Sequence, residues 1–146
     1  MNVEKKRLLF TCTQNAVRSV IAEALFSQLA CAADYTVSSC GVIEGAADGY
    51  AIAVMKEAGI DISLHQLQTF EQLAASDFDL IISFSAEAQE QAVNWAAGNT
   101  GTLFWEVAPP LIDERSRDQT LESYRRLRDD IAARLRAQFG PFAQKT

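Results

Sequence analysis

The chain has 146 residues, 49% of them hydrophobic and 22% charged, with a formal net charge of −6. That length predicts one domain, residues 1–146, with a core of its own. The negative balance argues against nucleic acid or an anionic membrane as the main partner, and no apolar run reaches the length of a membrane span.

The charged start, Met1 to Arg7, leads into an apolar run too short for a signal peptide. Three cysteines, Cys12, Cys31 and Cys40, form no CxxC pair and fit a reducing, cytoplasmic setting. Arg7 to Thr11 then reads as a short buried strand. The small, polar run Cys12 to Ser19 follows, and Val20 to Leu29 has the apolar spacing of a helix, with Ile21, Leu25 and Leu29 on one face. A loop passing from a strand end into a helix start aims several backbone N–H groups at one point, and the helix dipole adds positive potential there. The place suits an oxyanion.

Two side chains give that loop chemistry. Cys12 would lie beneath a bound anion, and Arg18, six residues on, carries a planar fork that clamps two oxygens where a lysine presents only a point charge. A thiolate under a phosphoryl group is a nucleophile placed for in-line attack. Ser19 is placed to hydrogen-bond the sulfur, and Asn15 to brace the loop through side-chain to backbone bonds. Thr13, Gln14, Asn15, Ala16, Val17 and Ser19 are the expected substrate-binding positions, with Cys12 and Arg18 catalytic. Neither a metal nor a cofactor is expected. Cys-x5-Arg by itself is common; its setting between strand and helix is what carries the reading.

Further along, Tyr35 to Ser39 reads as a second strand and Cys40-Gly41 as the start of a loop. Tyr50 to Ala58 reads as a helix closed by Gly59, and Ser63–Gln66 and Thr69–Gln72 as capping boxes. Asp79 to Phe84 is the most apolar strand, Ala86 to Ala97 a helix and Thr102 to Trp105 a short fourth strand. Glu106 to Arg115 is a loop. Ser116 caps a last helix with a stripe of Leu121, Tyr124, Leu127, Ile131, Leu135 and Phe139, and with i,i+4 pairs Glu122/Arg126 and Arg125/Asp129. The cluster Arg125, Arg126 and Arg128 reads as a solvated face. Strands alternating with helices predict an α/β fold: three layers around a four-stranded parallel sheet, with ligands at the carboxyl ends of strands near the switch in strand order. His65 reads as structural, Cys31 as packing on the first helix, Cys40 as structural, and Trp95 and Trp105 as core or rim aromatics.

The run Leu8 to Leu25 resembles the signature of the low-molecular-weight protein tyrosine phosphatases, whose fold and loop are shared by thioredoxin-coupled arsenate reductases. Ser39-Cys40-Gly41, Glu57 to His65 and Asp77 to Ile82 extend the resemblance over most of the chain. It implies a flavodoxin-like fold, a phosphocysteine intermediate on Cys12, and phosphate held by loop amides and Arg18. The chain departs from the pattern in four places. Gln14 stands where the family has glycine. Pro109, in Val107-Ala108-Pro109-Pro110, stands where the family has its general-acid aspartate, leaving Asp113, Glu114 or Glu106 as substitutes. No aromatic pair lines the expected substrate pocket. Leu80 to Gln91 lacks the cysteines of the arsenate reductase relay.

Three functions follow from this. One is a cysteine-dependent phosphatase acting on a phosphorylated protein, such as one bearing phosphotyrosine, or on a small phosphomonoester. Another is an arsenate reductase drawing on an external thiol such as glutathione or mycothiol. The third is a non-catalytic module that binds phosphate or a phosphorylated partner.

Overall fold

In a computed structural model describing residues 5–142, four parallel strands form one sheet. They are β1 (Lys6–Cys12), β2 (Tyr35–Gly41), β3 (Leu80–Ser83) and β4 (Gly101–Phe104), in the order β2-β1-β3-β4. The helices are α1 (Arg18–Phe26), α2 (Gly49–Glu57), α3 (Ala86–Ala96) and α4 (Arg117–Phe139). The order and the parallel pairing are those of the predicted flavodoxin-like α/β fold, and the strand order reverses between β1 and β3.

Alternation along the central strands assigns the two faces. Leu8, Phe10, Ile82 and Phe84 pack under α1, α2 and α4 with Ile21, Phe26, Met55, Tyr124, Ile131 and Leu135. Leu9 and Ile81 point the other way, to Phe70, Phe78, Ala92 and Ala96. Strands buried on both faces read as continuous apolar runs, which is why β1 and β3 were legible. The stripe predicted on α4 is buried except at Phe139, which packs edge-on to Phe26 with ring centroids 5.1 Å apart. Trp95 stacks against Phe70 and Phe78, and Trp105 against Phe84.

Several boundaries shift for physical reasons. β2 continues through Cys40 and Gly41, predicted as loop, because its pairing with β1 runs on to Cys12↔Gly41. α1 ends at Phe26, not Leu29; the chain tightens there, with Gln28 N–H donating to Leu25 O and Leu29 N–H to Phe26 O. Cys31 therefore lies beyond α1, at the start of a short turn over Ala32–Asp34. β3 begins one residue late because Asp79 turns its carboxylate to the backbone N–H of Arg7 (2.8 Å) and to its guanidinium (3.1 Å).

The capping box at Thr69 forms, with Gln72 accepting from Thr69 N–H at 2.8 Å. The one predicted at Ser63 does not: Asp61 accepts from Ser63 N–H at 2.8 Å and makes a tight turn there instead.

The arginines of α4 also behave differently from expectation. Arg125 pairs with Glu57 of α2 (2.8 Å) and not with Asp129, while Glu122 still meets Arg126 at 3.8 Å. Arg128 is 16% exposed, donates to Val54 O at 2.7 Å and pairs with Glu57 at 3.2 Å. Only Arg126 sits on a solvated face; Arg125 and Arg128 strap α4 to the end of α2. No helix among the described residues is long and apolar enough to cross a membrane.

Candidate functional site

The crevice at the strand-order reversal is a cavity of about 520 Å³, and Cys12 is in its floor. Cys12 is the last residue of β1, 2% exposed, and the loop from it enters α1 at Arg18. α1 starts at Val17 with no side-chain cap, so its first-turn amides are left to whatever fills the loop. Thr13, Gln14, Ala16, Val17 and Arg18, all named from the sequence as site positions, line the cavity.

Asn15 and Ser19 do not. Both are fully buried behind the loop, and Asn15 has φ of 47°. The bonds of Asn15 fix its amide orientation. Its Oδ1 accepts the backbone N–H of Gln68 (3.1 Å), so its Nδ2 must face Ser19 Oγ and Ser39 Oγ, both at 2.9 Å. Ser19 Oγ thus receives a bond from Asn15 and has its own proton free for the Cys12 sulfur, 2.9 Å away. The contact foreseen between Ser19 and the sulfur is present, while Asn15 braces the loop chiefly through the hydroxyls of Ser19 and Ser39, with one backbone bond, from Gln68 N–H. The two residues act on the loop from behind and do not line the cavity.

His65 extends the same chain of bonds. Asn15 Oδ1 only accepts, so His65 Nε2, at 3.0 Å, is the donor, and its Nδ1 faces Glu23 of α1 at 3.6 Å. The histidine ties the loop to α1 and is remote from the cavity lining, as the structural reading of it expected.

Neighbouring segments clamp the loop further. Val42 N–H donates to Cys12 O (3.2 Å) and Ile43 N–H to Thr13 O (3.0 Å). Gly41 is pressed against the loop backbone: a Cβ there would stand 2.6 Å from Asn15 N and 2.7 Å from the carbonyl carbon of Gln14. A Cβ on Gly45 would likewise stand 2.8 Å from the Gln14 carbonyl oxygen. The Gln14 side chain is exposed on the rim, where a family glycine would leave the mouth wider. Arg18 is held across the cavity by Nη1, which donates to Val107 O at 2.9 Å and Phe84 O at 3.4 Å. Its other N–H donors are left for an oxyanion.

Pro109, Pro110, Ile112 and Tyr124 form the wall opposite the loop. Pro109 thus sits at the cavity, where the resemblance puts an acid. The three substitutes are elsewhere. Asp113 Oδ1 accepts from Arg115 N–H (2.9 Å) and its backbone is bonded to Thr120, Glu106 lines a separate groove between this loop and α4, and Glu114 lines neither. Tyr124, read from sequence only as core, also donates to Asp48 Oδ2 at 2.8 Å, and Asp48 caps α2 through Tyr50 and Ala51 N–H. Burial first, and then that bond to Asp48, hold its phenol well above the usual range.

Sequence reasoning missed Glu87. It is the second residue of α3, exposed at the cavity mouth, and its Oε2 accepts the Thr13 hydroxyl at 2.8 Å. The signal available was its place in the first turn of a helix following a strand at the sheet centre.

A disulfide relay within the chain has no geometry here. Cys40 is paired opposite Thr11, so its side chain leaves the sheet on the α3 face while Cys12 lies with Phe10 on the other. Burial, and secondarily Cys12, push the Cys40 thiol far above the usual range. Cys31 lies with Lys6 and Tyr35 at the opposite end of the strands, roughly 20 Å from Cys12 by the rise of β1. No three His, Cys, Asp or Glu side chains among the described residues are grouped to hold a metal.

The family model of the low molecular weight phosphotyrosine protein phosphatases matches residues 7–139. The chain belongs to that family. Among its relatives is a glutaredoxin arsenate reductase of Synechocystis, 31% identical over 132 residues, which cover 89% of this chain and 93% of that protein. A solved arsenate reductase in its phosphate-binding state superposes with a TM-score of 0.70 at 29% identity, over 91% of this chain and 95% of that one. The low molecular weight protein tyrosine phosphatase of T. tengcongensis shares the fold, with a TM-score of 0.72 at 24% identity over 90% and 95% of the two chains. The family model carries the phosphatase name, while the relative at 31% identity is named for arsenate reduction.

Proposed function

We propose that the chain is a cysteine-dependent phosphatase that hydrolyses a phosphomonoester, on a protein or a small molecule, through a phosphocysteine on Cys12. The observation that carries this reading is the Asn15–Ser19–Cys12 chain of bonds, which gives a Cys12 thiolate a hydroxyl donor 2.9 Å away in a cavity that Arg18 also lines. Phosphate would sit on the amides of Thr13 to Arg18, with Arg18 gripping two oxygens. The sulfur then attacks phosphorus from below as the ester oxygen leaves towards the mouth, and the Ser19 bond stabilises the thiolate when it departs in the second step. The mouth holds Ile112 and two prolines in place of an aromatic pair. Tyr124, the one aromatic of this wall, is almost fully buried and bonded to Asp48, so phosphotyrosine gains no aromatic clamp here, and phosphate chemistry is the part of the substrate that the site recognises best. No cofactor enters, and the acidic chain, which we read as one domain acting in the cytoplasm, is unsuited to nucleic acid.

A second reading, arsenate reduction with an external thiol, is favoured by the relatives named arsenate reductase and by the absence of any resolving cysteine that reaches Cys12. The assay that separates the two runs 4-nitrophenyl phosphate hydrolysis beside arsenate-dependent consumption of glutathione, for the wild type and Cys12→Ser. Ester turnover lost in Cys12→Ser supports the phosphatase. Thiol consumption without ester turnover supports the reductase, and inorganic phosphate binding with neither activity supports a binding module.

A further inference from the structure

We propose that Glu87 is the general acid of this site, taking the place of the aspartate that Pro109 replaces; the proposal rests on the phosphatase reading above. Among the described residues, Glu87 contributes the only carboxyl group to the lining of the Cys12 cavity. Asp113, Glu114 and Glu106, the candidates along the late loop, lie outside it. Glu87 also comes from the opposite wall, which is why alignment of the late loop does not find it.

Its placement suits the task. Ser85 caps α3 by accepting from Ala88 N–H at 3.2 Å, so the turn that carries Glu87 is fixed at the end of β3, beside the end of β1. The Thr13 hydroxyl, one residue from the nucleophile, stands 2.8 Å from Glu87 Oε2 and 3.1 Å from Ser85 Oγ. When its proton is turned to Oε2, Oε1 is the oxygen left to carry a proton towards the ester. Glu87 is at the exposed mouth while Cys12 is in the floor, so a phosphoryl group on the loop puts its ester oxygen on the Glu87 side. A phosphate dianion on the loop and an ionised Glu87 would put like charges in the same cavity.

The step balances with these groups. The Cys12 thiolate attacks phosphorus, the S–P bond forms and the P–O ester bond breaks. The electron pair leaves on the ester oxygen, which takes the proton from Glu87. The Glu87 carboxylate next takes a proton from water as that water attacks the phosphocysteine. Inorganic phosphate and the Cys12 thiolate are released, and Glu87 is again protonated.

A carboxylate in the first turn of a helix also favours the helix dipole, a purely structural role that is blind to the leaving group. The test therefore compares kcat/KM for 4-nitrophenyl phosphate, a good leaving group, with phenyl phosphate, a poor one, in wild type, Glu87→Gln and Cys12→Ser. In Glu87→Gln the rate on phenyl phosphate falls by about 10²-fold or more relative to that on 4-nitrophenyl phosphate, the usual reach of general acid catalysis. The basic limb of the pH profile for phenyl phosphate goes with it, and Pro109→Asp placed in Glu87→Gln restores part of the loss. An equal effect on both esters, or wild-type turnover of the good leaving group alone, overturns the role of Glu87 while loss of both rates in Cys12→Ser leaves the phosphatase reading standing. Retained turnover in Cys12→Ser, or none in wild type, overturns the phosphatase reading. Binding of inorganic phosphate then judges Glu87 separately. Tighter binding by Glu87→Gln than by wild type near neutral pH, with a flatter pH dependence, supports a carboxyl group that must take up a proton beside the anion; unchanged binding contradicts it.

Discussion

Asn15 Nδ2 donates to Ser19 Oγ over 2.9 Å, which leaves the Ser19 hydroxyl its own proton to give. The Cys12 sulfur is 2.9 Å from that oxygen, and as a thiolate, which can only accept, it receives that proton. Substitution of either residue should therefore slow chemistry at the sulfur without removing the nucleophile. Ser19→Ala is expected to lower the rate of iodoacetamide alkylation of Cys12 and the turnover of phosphate esters together, by roughly tenfold, the equivalent of one modest hydrogen bond. Asn15→Ala should do more. It also frees Ser39, Gln68 N–H and His65, and it places an alanine at a φ of 47°. Its thermal midpoint should drop along with its rate, whereas that of Ser19→Ala should change little.

Gly41 tests the loop from its other side. A methyl at 41 meets the backbone of Gln14 and Asn15 at 2.7 and 2.6 Å, and backbone yields less readily than a flexible side chain. Gly41→Ala should shift the loop amides and weaken inorganic phosphate binding by about tenfold or more, since charge-assisted bonds are sensitive to placement. Circular dichroism should still report a folded α/β protein. Phosphate affinity equal to that of wild type would mean that the loop has room to move.

Tyr124 joins the cavity wall to the cap of α2 through Asp48. Tyr124→Phe keeps the ring and removes the bond, so its cost should be about 1.5 kcal/mol, at the lower end for a hydrogen bond to a charged group. Denaturant unfolding would measure it. Asp48→Asn should cost less, because an amide oxygen still caps Tyr50 and Ala51 N–H.

Acid should loosen the strap between α2 and α4. The hydrogen bond from Arg125, helped by Arg128, holds the Glu57 carboxyl below its usual range. A carboxyl group depressed in the folded state adds stability above its unfolded pKa, and that contribution is lost as pH falls through the lower folded value. Glu57→Gln should therefore melt below wild type near pH 7, and the gap should close in the range below the ordinary glutamate pKa. The same sign holds for Asp79, depressed by its bonds to Arg7. A gap that stays unchanged as pH falls well below the ordinary carboxylate range would contradict the assignment.

The strands, their parallel sense and the strand–loop–helix run at Cys12 were legible because β1 and β3 are buried on both faces and the loop joins a strand to a helix locally; the strand order came only with the family resemblance. Three things were not legible. The burial of Asn15 and Ser19 behind the loop depends on Ser39 and Gln68, which arrive from distant parts of the chain. The partner of Arg125 is Glu57, 68 residues away, and helical spacing could only offer Asp129. Glu87 enters the site through packing of α3 beside β1, a tertiary contact with no mark in the local pattern.

The central claim is that Cys12 is the nucleophile, and the most direct measurement is rapid-quench mass spectrometry of the protein mixed with excess 4-nitrophenyl phosphate. The account predicts one phosphoryl group on Cys12, formed as fast as a burst of nitrophenolate and absent in Cys12→Ser. Nitrophenolate release with no phosphoryl group on Cys12, or an equal burst from Cys12→Ser, would contradict it.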